Sequence, residues 1–171
     1  MAIIIKNLKN KFLELVPIIF IFYLCLSQFG NNFKLYDILS FNLQYVVIYY
    51  WILRKPQFIG YGFIFFAGII NDVVVGLPMG ISSLTYLVVA SFATYVRTVT
   101  VRVSLAADWI TFIPTILVAN LFYIIVIYLF GEILIDYLGL LFNSIFTIAL
   151  YPLFWFLFEI FINSISKIKN E

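Results

Sequence analysis

Histidine is missing from this chain of 171 residues, cysteine occurs once, and only 11% of the residues carry a charge. The first absence removes the commonest general base and the commonest metal ligand. The single thiol, Cys25, lies within an apolar run, so there is no disulfide framework and no thiolate metal cluster, and redox compartment cannot be read from it. A formal charge of +2, with its Lys and Arg scattered, excludes a nucleic-acid surface of the usual basic kind. There is no internal repeat, low-complexity linker or second domain. Nor is there a phosphate-cradling loop, a nucleophile elbow or a metal-ligand spacing. These absences weigh against an enzyme and lead us to expect no catalytic residue, no cofactor and no metal.

What the chain has is apolar bulk. Sixty-five per cent of it is hydrophobic and 20% aromatic. A water-soluble fold of this size cannot hide so much apolar surface, so lipid is the expected solvent. Apolar runs fall at about 12–29, 38–53, 58–75, 81–96, 109–130 and 138–162. Each approaches the roughly 20 residues that cross a hydrocarbon core. The second and fourth are short, and their flanks are expected to extend the helices into the headgroups. A spanning barrel would need segments alternating polar and apolar, whereas these are apolar all round. The expected fold is therefore all-α: one integral membrane domain over 1–171, a bundle of six transmembrane helices.

Orientation follows from the basic residues. Lys6, Lys9 and Lys11 precede the first span, Arg54 and Lys55 follow the second, Arg97 and Arg102 the fourth, and Lys167 and Lys169 the sixth. With six crossings these nine share one side, and only Lys34, beside Asp37, falls on the other with Glu132 and Asp136. The positive-inside rule then places both termini in the cytoplasm. The first span follows basic residues as a secretory signal would, but no small-x-small cleavage site follows it, and Leu24 before Cys25 argues against a lipoprotein cysteine. Ile4, Leu8 and Phe12 stand a helical turn apart, a spacing that permits a short interfacial helix. Trp51 and Trp109 fall at expected cytoplasmic helix ends, where indole favours the headgroups.

The most informative stretch is Gly68 to Gly80, GIINDVVVGLPMG. Asp72 lies a turn inside the end of its span, where a carboxylate costs up to about 3 kcal/mol at the bilayer centre and less near the interface, and so needs a partner. Gly76, Pro78 and Gly80 turn the chain, the glycines permitting positive φ and the proline fixing one dihedral. The nearest candidates are the free N–H groups at Gly80 to Ser83, with the hydroxyls of Ser82 and Ser83 as further donors. Asp72 is then a clamp across the turn; the alternative is a site for a proton or a cationic substrate. Ser83, Ala90 and Thr94 share a face of the fourth span, with Ala93 beside them, suiting close approach of a helix from this chain or from a partner. Asn120 is read as an interhelical hydrogen bond, Asp108 as a helix cap, Pro114 as lying in the first turns of its helix, and Pro152 as a kink. Glu14 and Glu159, near cytoplasmic helix ends, are expected to reach water.

With Gly68, Asp72, Gly76, Pro78 and Gly80 matching position by position, and an apolar helix with a basic end following, the chain resembles MreD, the small inner-membrane protein of the bacterial rod-shape system. Pro152 is similar to a proline in that family's last helix. The resemblance implies a non-catalytic scaffold acting with MreC, and through it with the actin-like MreB and the cell-wall elongation synthases. It also implies a fold like that of the substrate-binding subunits of energy-coupling factor transporters, which leaves small-molecule uptake as the second reading. Such subunits carry alanines spaced four apart on the first helix, and the first span here, 12–29, contains none.

Overall fold

The computed structural model describes residues 2–27, 40–100, 104–130 and 136–170, the side chains of 2–14 and 165–170 excepted. Lys34, Asp37, Arg102 and Glu132 lie outside the described residues, as do the side chains of Ile4, Lys6, Lys9, Lys11, Glu14, Lys167 and Lys169. Within them the chain is all-α, with six helices and no strand. These are α1 (Ala2–Ser27), α2 (Leu43–Arg54), α3 (Tyr61–Val75), α4 (Ile81–Val99), α5 (Leu105–Phe130) and α6 (Tyr137–Asn170). Two stretches, Leu105–Phe130 and Tyr137–Ser164, are long and apolar enough to cross a membrane. The segment around Ile4 and Leu8 belongs to α1 itself and forms no separate interfacial helix.

The centre of the bundle is α2, in which every residue from Leu43 to Leu53 is buried. A helix apolar all round is stable only when neighbours enclose it; α1, α4 and α6 do so here. Ile48, Tyr49 and Tyr50 are fully enclosed, and the surrounding core draws Ile21 and Leu24 from α1, Ile64 and Ala67 from α3, Val89 and Ala93 from α4, Phe112 from α5 and Tyr151 from α6. Phe112 stacks on Tyr151 with centroids 4.4 Å apart, and Tyr49 tilts against Phe112 at 4.9 Å. Trp51 is 2% exposed and lies among Phe58, Phe158 and Phe161. It is thus a core residue enclosed by other rings, whereas Trp109 is 38% exposed and donates to the Ile148 carbonyl of α6 at 2.9 Å.

The flanks of α2 do not lengthen it. At 12 residues and 1.5 Å per residue it is about 18 Å long. Before it, residues 40–42 are non-helical, and the Asn42 N–H donates to Thr147 Oγ1 at 2.8 Å. After it, Lys55 N–H closes on the Trp51 carbonyl at 2.7 Å, and Pro56 prevents continuation. Two further expectations are corrected at α5. It begins at Leu105, so Pro114 is interior. Its first turn is capped by Ser104, whose Oγ accepts the Ala107 N–H at 3.2 Å, and Asp108 is released for another role.

The helices alternate in direction. The start of α2, the end of α3, the start of α4, the last turns of α5 and the start of α6 meet around one cavity. The opposite ends of α2, α4, α5 and α6 meet around another, so Arg54, Lys55 and Arg97 share the end of the bundle away from the Gly76–Gly80 turn. The exterior is apolar: Leu15 and Ile19 of α1, Phe63 and Phe66 of α3, Leu117 and Leu121 of α5, and Leu153, Phe156 and Ile160 of α6 are all exposed.

Because α2 carries the centre of the core, Ile48→Ala is expected to cost about 2–5 kcal/mol. Ile110→Ala, at a site 65% exposed, should change stability by no more than about 0.5 kcal/mol. Unfolding in detergent compares the two; equal losses would contradict a core centred on α2.

Candidate functional site

The residues from Gly68 to Gly80 form a helical hairpin whose turn is tied by one carboxylate. Asp72 is fully buried near the end of α3. Its Oδ2 accepts the Gly80 N–H at 2.8 Å and its Oδ1 accepts the Ser82 N–H at 2.8 Å. The first N–H groups of a helix have no partner within it, and a side-chain oxygen at the N-cap ordinarily supplies one. Gly80, the N-cap of α4, has no side chain, so Asp72 caps α4 from the preceding helix. Its backbone carbonyl meanwhile accepts the N–H groups of Gly76 and Leu77, both at 2.9 Å, and ends α3. Gly76 at φ 78° and Gly80 at φ 107° occupy the left-handed region, where a Cβ is costly. Between them Pro78 presents its carbonyl to the Ile81 N–H at 3.4 Å.

The serine hydroxyls do not join the carboxylate. Ser82 Oγ accepts from Asn71 Nδ2 at 3.0 Å, and Ser83 Oγ donates to the Phe65 carbonyl at 3.0 Å, so each makes its own α3–α4 link. Gly68 lies against Ser83 so closely that a Cβ on it would overlap the Ser83 backbone. Ala90 and Ala93 are fully buried. Thr94 is half-buried; its Oγ1 bonds to the Ala90 carbonyl at 2.9 Å and pairs with the Tyr61 hydroxyl at 2.6 Å. The face of Ser83, Ala90 and Thr94 is therefore occupied within the chain, and α3 and α4 are pinned at both ends.

At the opposite end of the bundle is a network that the sequence did not reveal. Arg54, which ends α2, places Nη2 3.0 Å from Asp108 Oδ2 and 3.9 Å from Glu159 Oε2. Trp155 Nε1 donates to the same Asp108 oxygen at 2.9 Å, and the Tyr50 hydroxyl donates to Glu159 Oε2 at 2.9 Å. The Arg54 guanidinium lies 5.2 Å from the centroid of Trp155 and 5.9 Å from that of Tyr50, within cation–π range. Asp108 is 2% exposed and would be costly there without a cation. Glu159 does not simply reach water; it is bound into this cluster. Trp51 Nε1, Arg54 Nε and Tyr151 Oη make no hydrogen bond among the described residues.

A third polar feature lies on the turn side, where a cavity of about 280 Å³ opens between α2 and α6 and the hairpin. Gln44, Tyr45, Asn71, Tyr86, Tyr123 and Asn143 contribute to its lining. Its α6 wall is held by a chain of small polar groups. Asn143 Nδ2 donates to Ser40 Oγ at 3.2 Å, and Asn120 Nδ2 donates to Ser144 Oγ at 2.6 Å, an interhelical bond between α5 and α6. The sequence carried a signal for it: Asn143, Ser144 and Thr147 share one face of an otherwise apolar helix. Among the described residues no group of three or more His, Cys, Asp or Glu side chains converges as a metal site would require.

Two substitutions test the clamp. In Asp72→Asn the amide keeps one acceptor but turns N–H groups toward a second N–H, leaving a buried donor unpaired at about 1–3 kcal/mol. Gly68→Ala forces the helices apart and is expected to cost about 1–3 kcal/mol by overpacking. Both should lower the melting temperature in detergent; an unchanged value for Asp72→Asn rules out the clamp. For the ionic network, Arg54→Met should destabilise by about 3–5 kcal/mol, and a large part should return in the Arg54→Met/Asp108→Leu double variant, which removes the stranded charge.

Comparison of the chain with family models, with curated proteins and with solved structures finds no match.

Proposed function

We propose that this chain is a six-span protein of the bacterial inner membrane, with both termini in the cytoplasm, serving as a non-catalytic scaffold of the cell-elongation machinery. The observation that carries the reading is the pattern Gly68, Asp72, Gly76, Pro78, Gly80, in which the chain resembles MreD. Each of the five has a task in one hairpin: close approach, capping, two left-handed turns and a turn carbonyl. A scaffold needs a fixed shape more than a reactive group, and this is where the chain commits its one fully buried carboxylate among the described residues.

Membrane residence is supported by the apolar exterior, far beyond the scattered apolar patches of a soluble protein, and by the two helices of sufficient length. The shared end of Arg54, Lys55 and Arg97 supports the orientation, since basic residues collect on the cytoplasmic side. At about 18 Å α2 is shorter than a hydrocarbon core of about 30 Å. That is tolerable because non-helical backbone at membrane depth is stable where protein encloses it. On this reading the chain supports peptidoglycan synthesis and cell shape by holding an MreC-type partner, and through it MreB and the elongation synthases.

Depletion of the gene in a rod-shaped host is expected to produce round cells, and the tagged protein is expected to co-purify with an MreC-type protein. Reporter fusions at the two ends should both report the cytoplasm. Normal rods with a new nutrient requirement would refute the scaffold in favour of an uptake subunit.

A further inference from the structure

We infer that the cavity on the turn side is a binding site for a small, uncharged, flat heterocycle carrying adjacent hydrogen-bond donors and acceptors, of the kind found on a nucleobase. This goes beyond the scaffold reading and does not depend on it. At about 280 Å³ the cavity is near the lower bound of ligand sites, about 300–1,000 Å³. In so apolar a chain, enclosed polar side chains are costly unless they have work, yet among the described residues four amides, Asn42, Gln44, Asn71 and Asn143, and three phenols line this one cavity from five segments.

The lining chemistry selects the ligand. An amide presents two donors and an acceptor in one plane, the arrangement that pairs bidentately with the edge of a purine. Asn71 spends one donor on Ser82, and Asn143 one on Ser40. Among the described residues Gln44 makes a long 3.5 Å bond to the Leu24 carbonyl. Each retains capacity. Tyrosine rings offer faces on which a flat ring stacks. Tyr45 and Tyr86 meet edge to face with centroids 5.8 Å apart, holding one wall rigid. Tyr45 is 5% exposed and lines the cavity, so its phenol is the enclosed group at which a bound ring is tested. Among the described residues the one carboxylate in the lining is Asp136, itself exposed, and no Lys or Arg joins it, which disfavours a charged ligand.

The experiment uses the full chain in detergent, first denatured to release any carried molecule and then, as native protein, titrated with adenine, uracil and N-acetylglucosamine while its melting temperature is followed. Expected is either a released species absorbing near 260–300 nm or saturable stabilisation by a nucleobase at sub-millimolar concentration. The Tyr45→Phe variant should melt as the parent does without ligand, yet bind the nucleobase about tenfold more weakly, the effect of one lost hydrogen bond. Stabilisation by the sugar alone overturns the heterocycle assignment. So does the absence of both a released chromophore and any nucleobase effect, or an undiminished affinity in Tyr45→Phe. None of these outcomes bears on cell shape, so they leave the scaffold reading to its own test.

Discussion

A helix buried on every side hands its ends to its neighbours. Helix α2 runs for only 12 residues and has no exposed face, so neither its first turn nor its last can rely on water. Backbone and side-chain polar groups there must be satisfied by the surrounding helices or pay a desolvation cost of about 1–3 kcal/mol each. The two polar regions nearest α2 follow from this. At its start, Thr147 receives the Asn42 N–H, and Gln44 and Tyr45 enter the cavity. At its end, the charge of Arg54 brings Asp108 from α5 and Glu159 from α6 to meet it. The cation and the acids are spaced by 54 and 105 residues, so this is a tertiary pairing set by the bundle.

The hairpin of α3 and α4 answers a different need. Gly80 gives the turn its left-handed geometry but brings no capping side chain, and the cap is supplied by Asp72 eight residues earlier. The helix that lacks a cap and the carboxylate that lacks a counter-ion satisfy one another. With both oxygens engaged by N–H groups of the same hairpin, Asp72 is placed as a structural acceptor, and it does not line the cavity beside it.

What was legible in the sequence was local. Apolar runs bounded by Gly, Pro and charge located the helices, because length and turn chemistry are written in neighbouring residues. Asp72 and the N–H groups that receive it are close in the chain, so spacing alone brought them together. Boundaries failed where tertiary contacts decide them: α2 is shorter than its apolar run because Thr147, over a hundred residues away, takes the N–H of Asn42. Trp51 adjoins Arg54 and Lys55 in sequence, and its enclosure by aromatic rings from α6 is a tertiary contact that neighbouring residues do not announce. Asp108 and Arg54 each had an adequate local explanation, a cap and a topology signal, and nothing in one sequence pairs them.

Polar groups in an apolar molecule can be sorted by what valence they have left. The carboxylate of Asp72 has a backbone N–H on each oxygen, and that of Asp108 receives both a guanidinium and an indole, so these groups are spent on holding helices together. The cavity residues are held in place by single links, Asn143 to Ser40 and Asn71 to Ser82, and these amides line the cavity together with Tyr45. A core designed only for stability would replace such groups by apolar ones, since a half-satisfied polar cluster is less favourable than a dry one. Retaining them in a chain this apolar is reasonable if something else completes their bonding. The same test, applied to the hairpin and to the end of α2, returns architecture; applied to the cavity, it leaves polar groups whose bonding the proposed ligand would complete.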